Sequence, residues 1–132
     1  MGLFSPKVLE EATSEVNGKI TVLKSFGFGT YIQVGELTQS GGIVYDVWRQ
    51  SLGKVRKLKP DVQNALILGL GGGTNVQVIR EFWPIAQVTG VDIDLVMVEL
   101  GKKYLGLKEV KTVIQDAFDF TKDELKNSDK YD

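Results

Sequence analysis

Neither cysteine nor histidine occurs among the 132 residues of this chain. Their absence excludes disulfides, thiolate and imidazole metal ligands, and any reaction that needs a histidine base or a cysteine nucleophile. An excess of charge of one sign is lacking too. Sixteen Lys and Arg against 17 Asp and Glu leave a net charge of −1, so composition gives no broad electrostatic case for nucleic acid or an anionic membrane as partner. No apolar run approaches the roughly 20 residues of a membrane span, and the opening MGLFSPKVLEEATSE carries acids where a signal peptide needs apolar length. Together with the missing cysteine, this points to a cytoplasmic protein without a metal. A hydrophobic content of 42% with 25% charged residues is ordinary for a globular chain of at most one domain.

The most informative stretch that is present runs from Ala65 to Asp92, ALILGLGGGTNVQVIREFWPIAQVTGVD. An apolar run of strand length meets a glycine cluster at 69–73. A helical segment follows, then a second apolar run that ends on Asp92. Glycines at such a turn allow positive φ and let a ligand approach the backbone closely. An acid at the end of the second strand is placed to accept hydrogen bonds from a ribose. This pattern is that of a nucleotide or nucleoside site.

Around it the chain reads as follows. Residues 1–17 are polar, with a short helix expected over Pro6–Ala12. Two β-rich runs between Lys19 and Thr38, linked by Gly27-Phe28-Gly29, predict a hairpin. Ser40 is read as an N-cap, and Val44, Trp48, Leu52 and Val55 form one stripe of the helix after it. The basic end of that helix (Lys54, Arg56, Lys57, Lys59) suits the negative end of the helix dipole. After Pro60-Asp61 the expected elements are strand 65–70, helix 74–83, strand 86–92, helix 95–104, strand 110–115 and a helical piece near 121–127. Strands alternating with helices at this spacing imply a parallel sheet. With three strands the first keeps an uncovered edge, so the sequence reads as the front part of a larger domain.

In this order the motifs resemble the N-terminal half of the spermidine synthase-like proteins, polyamine aminopropyltransferases within the class I S-adenosylmethionine-dependent methyltransferase superfamily. The hairpin with QSGGIVYDVWRQSL resembles their small β-domain and first helix. LGLGGGT resembles the nucleoside-binding glycine loop, GVDID the segment with the ribose acid, QDAFDF the adenine segment, and KYD the lead into strand four. The resemblance covers about residues 18–132. It implies an α/β fold: a Rossmann-like methyltransferase sheet, incomplete here, with an N-terminal β-hairpin region. Residues 1–40 would form the N-terminal segment and hairpin region, and 41–132 the linking helix and partial nucleoside-binding domain.

Carried over by residue, Gly69, Gly71 and Gly73 would lie under the methionine or aminopropyl portion of S-adenosylmethionine or its decarboxylated form. Asp92 would bind the ribose hydroxyls and Ile93 would pack on the adenine. Asp116 would accept from the adenine amino group, with the Ala117 N–H donating to the ring. Gln39 would stand at the mouth of the site, with Tyr45 and Asp46 toward an acceptor such as a polyamine. The sequence departs from the family in three places. The family's loop aspartate, which holds the aminopropyl amine, is Gly72 here. Its Tyr-Gln pair is Tyr45-Asp46. Its catalytic aspartate lies at the end of strand four, past Asp132, so the resemblance assigns no catalytic residue.

Plainer readings stand beside these. Asp92 could cap the next helix, although Asp94 is the better candidate. Asp116 could be an ordinary strand-end acid, Tyr45 a packing residue beside the apolar stripe, and Gln39 a turn residue. Trp83, before Pro84, reads as helix-end packing. A dehydrogenase-type NAD fingerprint fits poorly, because its third glycine falls on Thr74. A non-catalytic binding module is the remaining alternative, its open sheet edge pairing with a second copy to give a homodimer.

Overall fold

A computed structural model describes residues 4–124 and 130–132. Its first part is a four-stranded antiparallel sheet of β1 (Lys7–Ser14), β2 (Gly18–Ser25), β3 (Gly29–Val34) and β4 (Leu37–Gly41), paired in chain order. The expected hairpin is present as β2–β3, in register from Ile20 opposite Val34 to Ser25 opposite Gly29. Each of its strands has gained a further neighbour. The helix expected over Pro6–Ala12 is instead β1. Its backbone groups pair with the outer edge of β2, with a bulge between Val8 and Glu10, so sheet pairing overrides a sequence that would also suit a helix. Ser40 is not an N-cap either. It lies in β4, and the cap of α1 (Ile43–Leu58) is Gly42, whose position carries no side-chain cap bond.

The second part alternates as the periodicity predicts: β5 (Asn64–Leu68), α2 (Thr74–Phe82), β6 (Gln87–Asp92), α3 (Leu95–Tyr104), β7 (Lys111–Ile114) and α4 (Ala117–Glu124). The three strands are parallel in the order β5-β6-β7, which leaves β5 at an edge. The C-terminal residue begins to cover that edge. The Asp132 N–H donates to the Asn64 carbonyl, and its carboxylate accepts from the Gln63 and Asn64 N–H groups, both at 2.8 Å. Those bonds, the Asn64 one foremost, hold the Asp132 carboxyl below its ordinary pKa. The helix expected near 121–127 starts earlier, at Ala117, because Asp116 caps it. The last part of that expected range lies outside the described residues.

Helix α3 is shared by two cores. Val98 packs with Ile67, Leu70, Val76, Ile79, Trp83, Val88 and Leu107 against the parallel sheet. Met97 and Leu100, three apart and so on one helix face, pack with Ile20, Val22 and Ile32 of the antiparallel sheet. Trp83 is buried at the end of α2 as expected, with its indole N–H donating to the Lys59 carbonyl at 3.1 Å. The α1 stripe exists but is only partly covered: Val44 and Leu52 are half-buried, Trp48 and Val55 exposed.

The two sheets are also joined through one buried carboxylate. Asp94 caps α3 by accepting from the Val96 and Met97 N–H groups at 2.9 and 3.4 Å. Its other oxygen accepts from Ser14 Oγ and Asn17 Nδ2, each at 2.6 Å, across the β1–β2 turn. Burial alone would raise the Asp94 pKa, but the hydrogen bonds from Ser14, Asn17, Met97 and Val96 outweigh it and leave the pKa lowered. A folded-state pKa below the ordinary 3.8 means the stabilisation is complete above that pH and lost as pH falls through the folded value. Asp94→Ala removes a helix cap and strands the buried Ser14 hydroxyl, an expected loss of about 2–4 kcal/mol. Urea unfolding at pH 7 measures it, and the wild-type advantage over the variant should shrink below pH 3.8.

Candidate functional site

Strand β5 leads directly into the glycine loop, where Gly69, Gly71 and Gly73 all hold positive φ (87°, 58° and 85°). A side chain at any of the three would be strained. Gly73 is the left-handed cap of α2, with no side chain satisfying the helix end. The loop is held by specific acceptors. The Gly69 and Leu70 N–H groups donate to the Val91 carbonyl at the end of β6, both at 2.9 Å. Asp92 Oδ2 accepts from the Gly71 N–H at 2.7 Å, and its Oδ1 accepts from the Asp94 N–H at 2.8 Å. Ser40 Oγ accepts from the Gly72 N–H at 2.8 Å, and Thr74 Oγ1 accepts from the Gly41 N–H at 2.7 Å. The end of β4 is thereby stitched to the loop.

Above this loop, at the C-terminal ends of β5 and β6, lies a cavity of about 340 Å³. Gly69, Gly71, Asp92, Ile93 and Gln39, all expected at the ligand, line it. So do residues that sequence reasoning did not assign to the site: Asn17, Ser40, Trp48, Thr74, Asn75 and Met97. Among the described residues Asp92 is the sole ionisable one in the lining. Each of its oxygens already accepts one backbone N–H, and a carboxylate has about four acceptor positions. The remaining capacity suits a pair of neighbouring hydroxyls.

The other expected residues lie elsewhere. Gly73 is buried at the start of α2 and faces the recess behind the loop. Asp116 Oδ1 accepts from the Phe118 and Asp119 N–H groups at 2.8 and 3.1 Å, capping α4. Its segment adjoins Asp92, whose carbonyl accepts from the Gln115 N–H at 3.0 Å, but neither Asp116 nor Ala117 lines the cavity. Tyr45 and Asp46 are not brought to it. The Tyr45 hydroxyl donates to Glu81 on α2 at 2.7 Å, and Arg49 donates to the other Glu81 oxygen at 2.9 Å. The Glu81 bond, with some burial, raises the Tyr45 pKa. This pair lines a separate recess with Gly41, Gln77 and Tyr104.

Gly72 explains one departure from the family pattern in physical terms. A Cβ there would lie 2.8 Å from Ser40 Cβ and 2.9 Å from Leu105 Cδ1. The loop also rests on α3 so closely that a Cβ on Gly101 would meet the Gly72 carbonyl oxygen at 2.5 Å. No room exists for an aspartate side chain without moving β4 or α3.

A strand, a glycine loop against a helix N-terminus, and an acid at the end of the next strand are the first half of a methyltransferase-type Rossmann fold. The chain is spermidine synthase-like within that fold. Spermidine synthase from Thermotoga maritima superposes with a TM-score of 0.72 at 17% identity, covering 89% of this chain and 43% of that one. A spermidine synthase in complex with the transition-state analogue AdoDATO matches equally, at 16% identity. Among curated proteins, the polyamine aminopropyltransferase of Pyrobaculum calidifontis is 27% identical over 123 residues, 86% of this chain and 43% of that protein. An eEF1A lysine and N-terminal methyltransferase homolog of Drosophila melanogaster is 34% identical over 93 residues, 67% of this chain and 14% of that protein. The chain thus spans less than half the length of these relatives. No protein-family model matches it.

Gly72→Asp should lower stability by about 1–3 kcal/mol through overpacking, read by chemical denaturation. A neutral effect would show that the contact with Ser40 and Leu105 is looser than described.

Proposed function

We propose that this chain is the nucleoside-binding portion of a transferase that uses an adenosyl-sulfonium donor, S-adenosylmethionine or its decarboxylated form. The observation that carries the reading is the Asp92 carboxylate, fixed by two backbone N–H groups beside a cavity floored by Gly69 and Gly71. The two kinds of relative, aminopropyltransferase and methyltransferase, share such a donor class and support the same reading. In the transfer, a nucleophile's lone pair forms a bond to the carbon next to the sulfonium. The carbon–sulfur bond breaks, its electrons return to sulfur, and a neutral thioether leaves. The nucleophile must also lose a proton. Among the described residues the lining holds no base for this beyond Asp92, which is already engaged, so what we assign to these residues is donor binding and positioning, the main lever in such a reaction. Asp116 and Ala117 follow β7, whose Ile114 pairs with Asp92, and are proposed to meet the adenine.

Trp48 lines the cavity while Trp83 is buried in the core. Methylthioadenosine is therefore expected to change tryptophan emission in wild type and not in Trp48→Phe. Asp92→Asn should weaken that binding about tenfold or more, since hydrogen bonds to a charged acceptor are worth roughly 1.5–3 kcal/mol. Unchanged affinity with intact circular dichroism would remove Asp92 from the site.

The position of β5 at a sheet edge also supports the homodimer reading, with two copies pairing there. Light scattering should then give twice the chain mass, and a monomer at high concentration would discard edge pairing.

A further inference from the structure

At the end of the antiparallel sheet that carries the β2–β3 turn, a group of apolar side chains is left uncovered. Three of the six Phe residues stand there: Phe4 is 78% exposed, Phe26 86% and Phe28 63%. The Phe4 and Phe26 rings meet edge to face, with centroids 6.5 Å apart. Gly27 and Gly29 supply the positive φ of the turn, 86° and 70°, so the turn presents aromatic rings and little else. Directly beside it, Lys7 on β1 and Lys24 on β2 are register partners. Like charges directly opposite one another in a strand pair repel, and among the described residues neither lysine has an ion-pair partner. In the stretches 4–9 and 20–35 these two lysines are the only charged residues, an imbalance that the net charge of −1 conceals. Glu10, the next acid along β1, is held by Lys103 and Tyr104, and Asp46 shares a recess with Phe28.

Covering the rings and setting negative charge against Lys7 and Lys24 are both favourable, and an anionic bilayer does the two at once. Its headgroups attract lysines at close range, and its interface takes up aromatic rings. One weak contribution gives marginal attachment to a bilayer, whereas two together hold. A folded protein partner would need a groove here for its own apolar groups, but Phe26, at 86% exposed, projects from the turn. We propose that the β2–β3 turn is a membrane-docking tip. Phe26 and Phe28 enter the interfacial region of a bilayer that contains anionic phospholipid, and Lys7 and Lys24 face its headgroups. The tip is independent of the donor site, whose lining includes none of these residues.

Co-sedimentation of the full chain with vesicles tests the tip, using phosphatidylcholine alone and phosphatidylcholine with phosphatidylserine at about 2:1. Binding to the mixed vesicles that weakens with added salt, and little binding to phosphatidylcholine alone, is the expected result. Lys7→Gln combined with Lys24→Gln should weaken it about tenfold or more. Phe26→Ser combined with Phe28→Ser should do the same with circular dichroism and thermal unfolding unchanged. Phe28→Trp gives a direct reading: above the emission of Trp48 and Trp83, it should show a blue shift with mixed vesicles and quenching by brominated acyl chains. Absence of sedimentation with mixed vesicles at low salt overturns the proposal, as does binding that the Phe double variant leaves intact. A concentration-dependent dimer that this double variant dissolves, with no vesicle binding, also overturns it and assigns the tip to a second copy of the chain. Where the double variant does not fold, Phe28→Trp decides, and an unquenched tryptophan removes the tip from the bilayer.

Discussion

The buried Asp94 carboxylate is the constraint on which the arrangement depends. It caps α3 with one oxygen and holds Ser14 and Asn17 of the β1–β2 turn with the other. Desolvating a carboxylate is costly unless each lone pair finds a donor, and here four donors converge from two parts of the chain. The turn is thereby fixed over the end of β6, which brings Asn17 to the cavity wall. The same helix start delivers the Asp94 N–H to Asp92, so the acid that faces the cavity is positioned by the acid that joins the sheets.

How much of this could be read from the sequence follows from the range of the forces involved. The parallel sheet, its helices and the glycine loop were legible because their signals are local: an apolar run, a cluster of glycines, an acid at the end of the next run. Asp94 as the cap of α3 was legible for the same reason. The first strand was not, because a polar stretch such as VLEEATS suits helix or strand until an edge is offered to it. The Asn17-Gly18 pair, a strong hairpin signal, could have revealed the β1–β2 turn. Ser40 misled in a more instructive way. A hydroxyl shortly before a helix reads as a cap, yet here it serves the Gly72 N–H across 32 positions of sequence.

The candidate site divides along the same line. Gly69, Gly71, Asp92 and Ile93 come from one continuous motif and were found with it. Trp48 reaches the cavity only through the way α1 packs, and no local signal marks it, whereas Thr74 and Asn75 directly follow the glycine loop. Tyr45 shows the converse. The family resemblance put it toward an acceptor, its place beside the helix stripe suited packing, and the Glu81 carboxylate on the neighbouring helix claims its hydroxyl.

Helix α3 carries a consequence for the integrity of the molecule. Met97 and Leu100 fill the core of the antiparallel sheet while Val98, between them in sequence, fills the other. Removing the small sheet would bare one face of α3, and removing the helix would bare Ile20, Val22 and Ile32. The antiparallel sheet has no complete core without α3, so its stability is tied to that of the parallel part. A cut at residue 40 would yield two incomplete pieces rather than two domains.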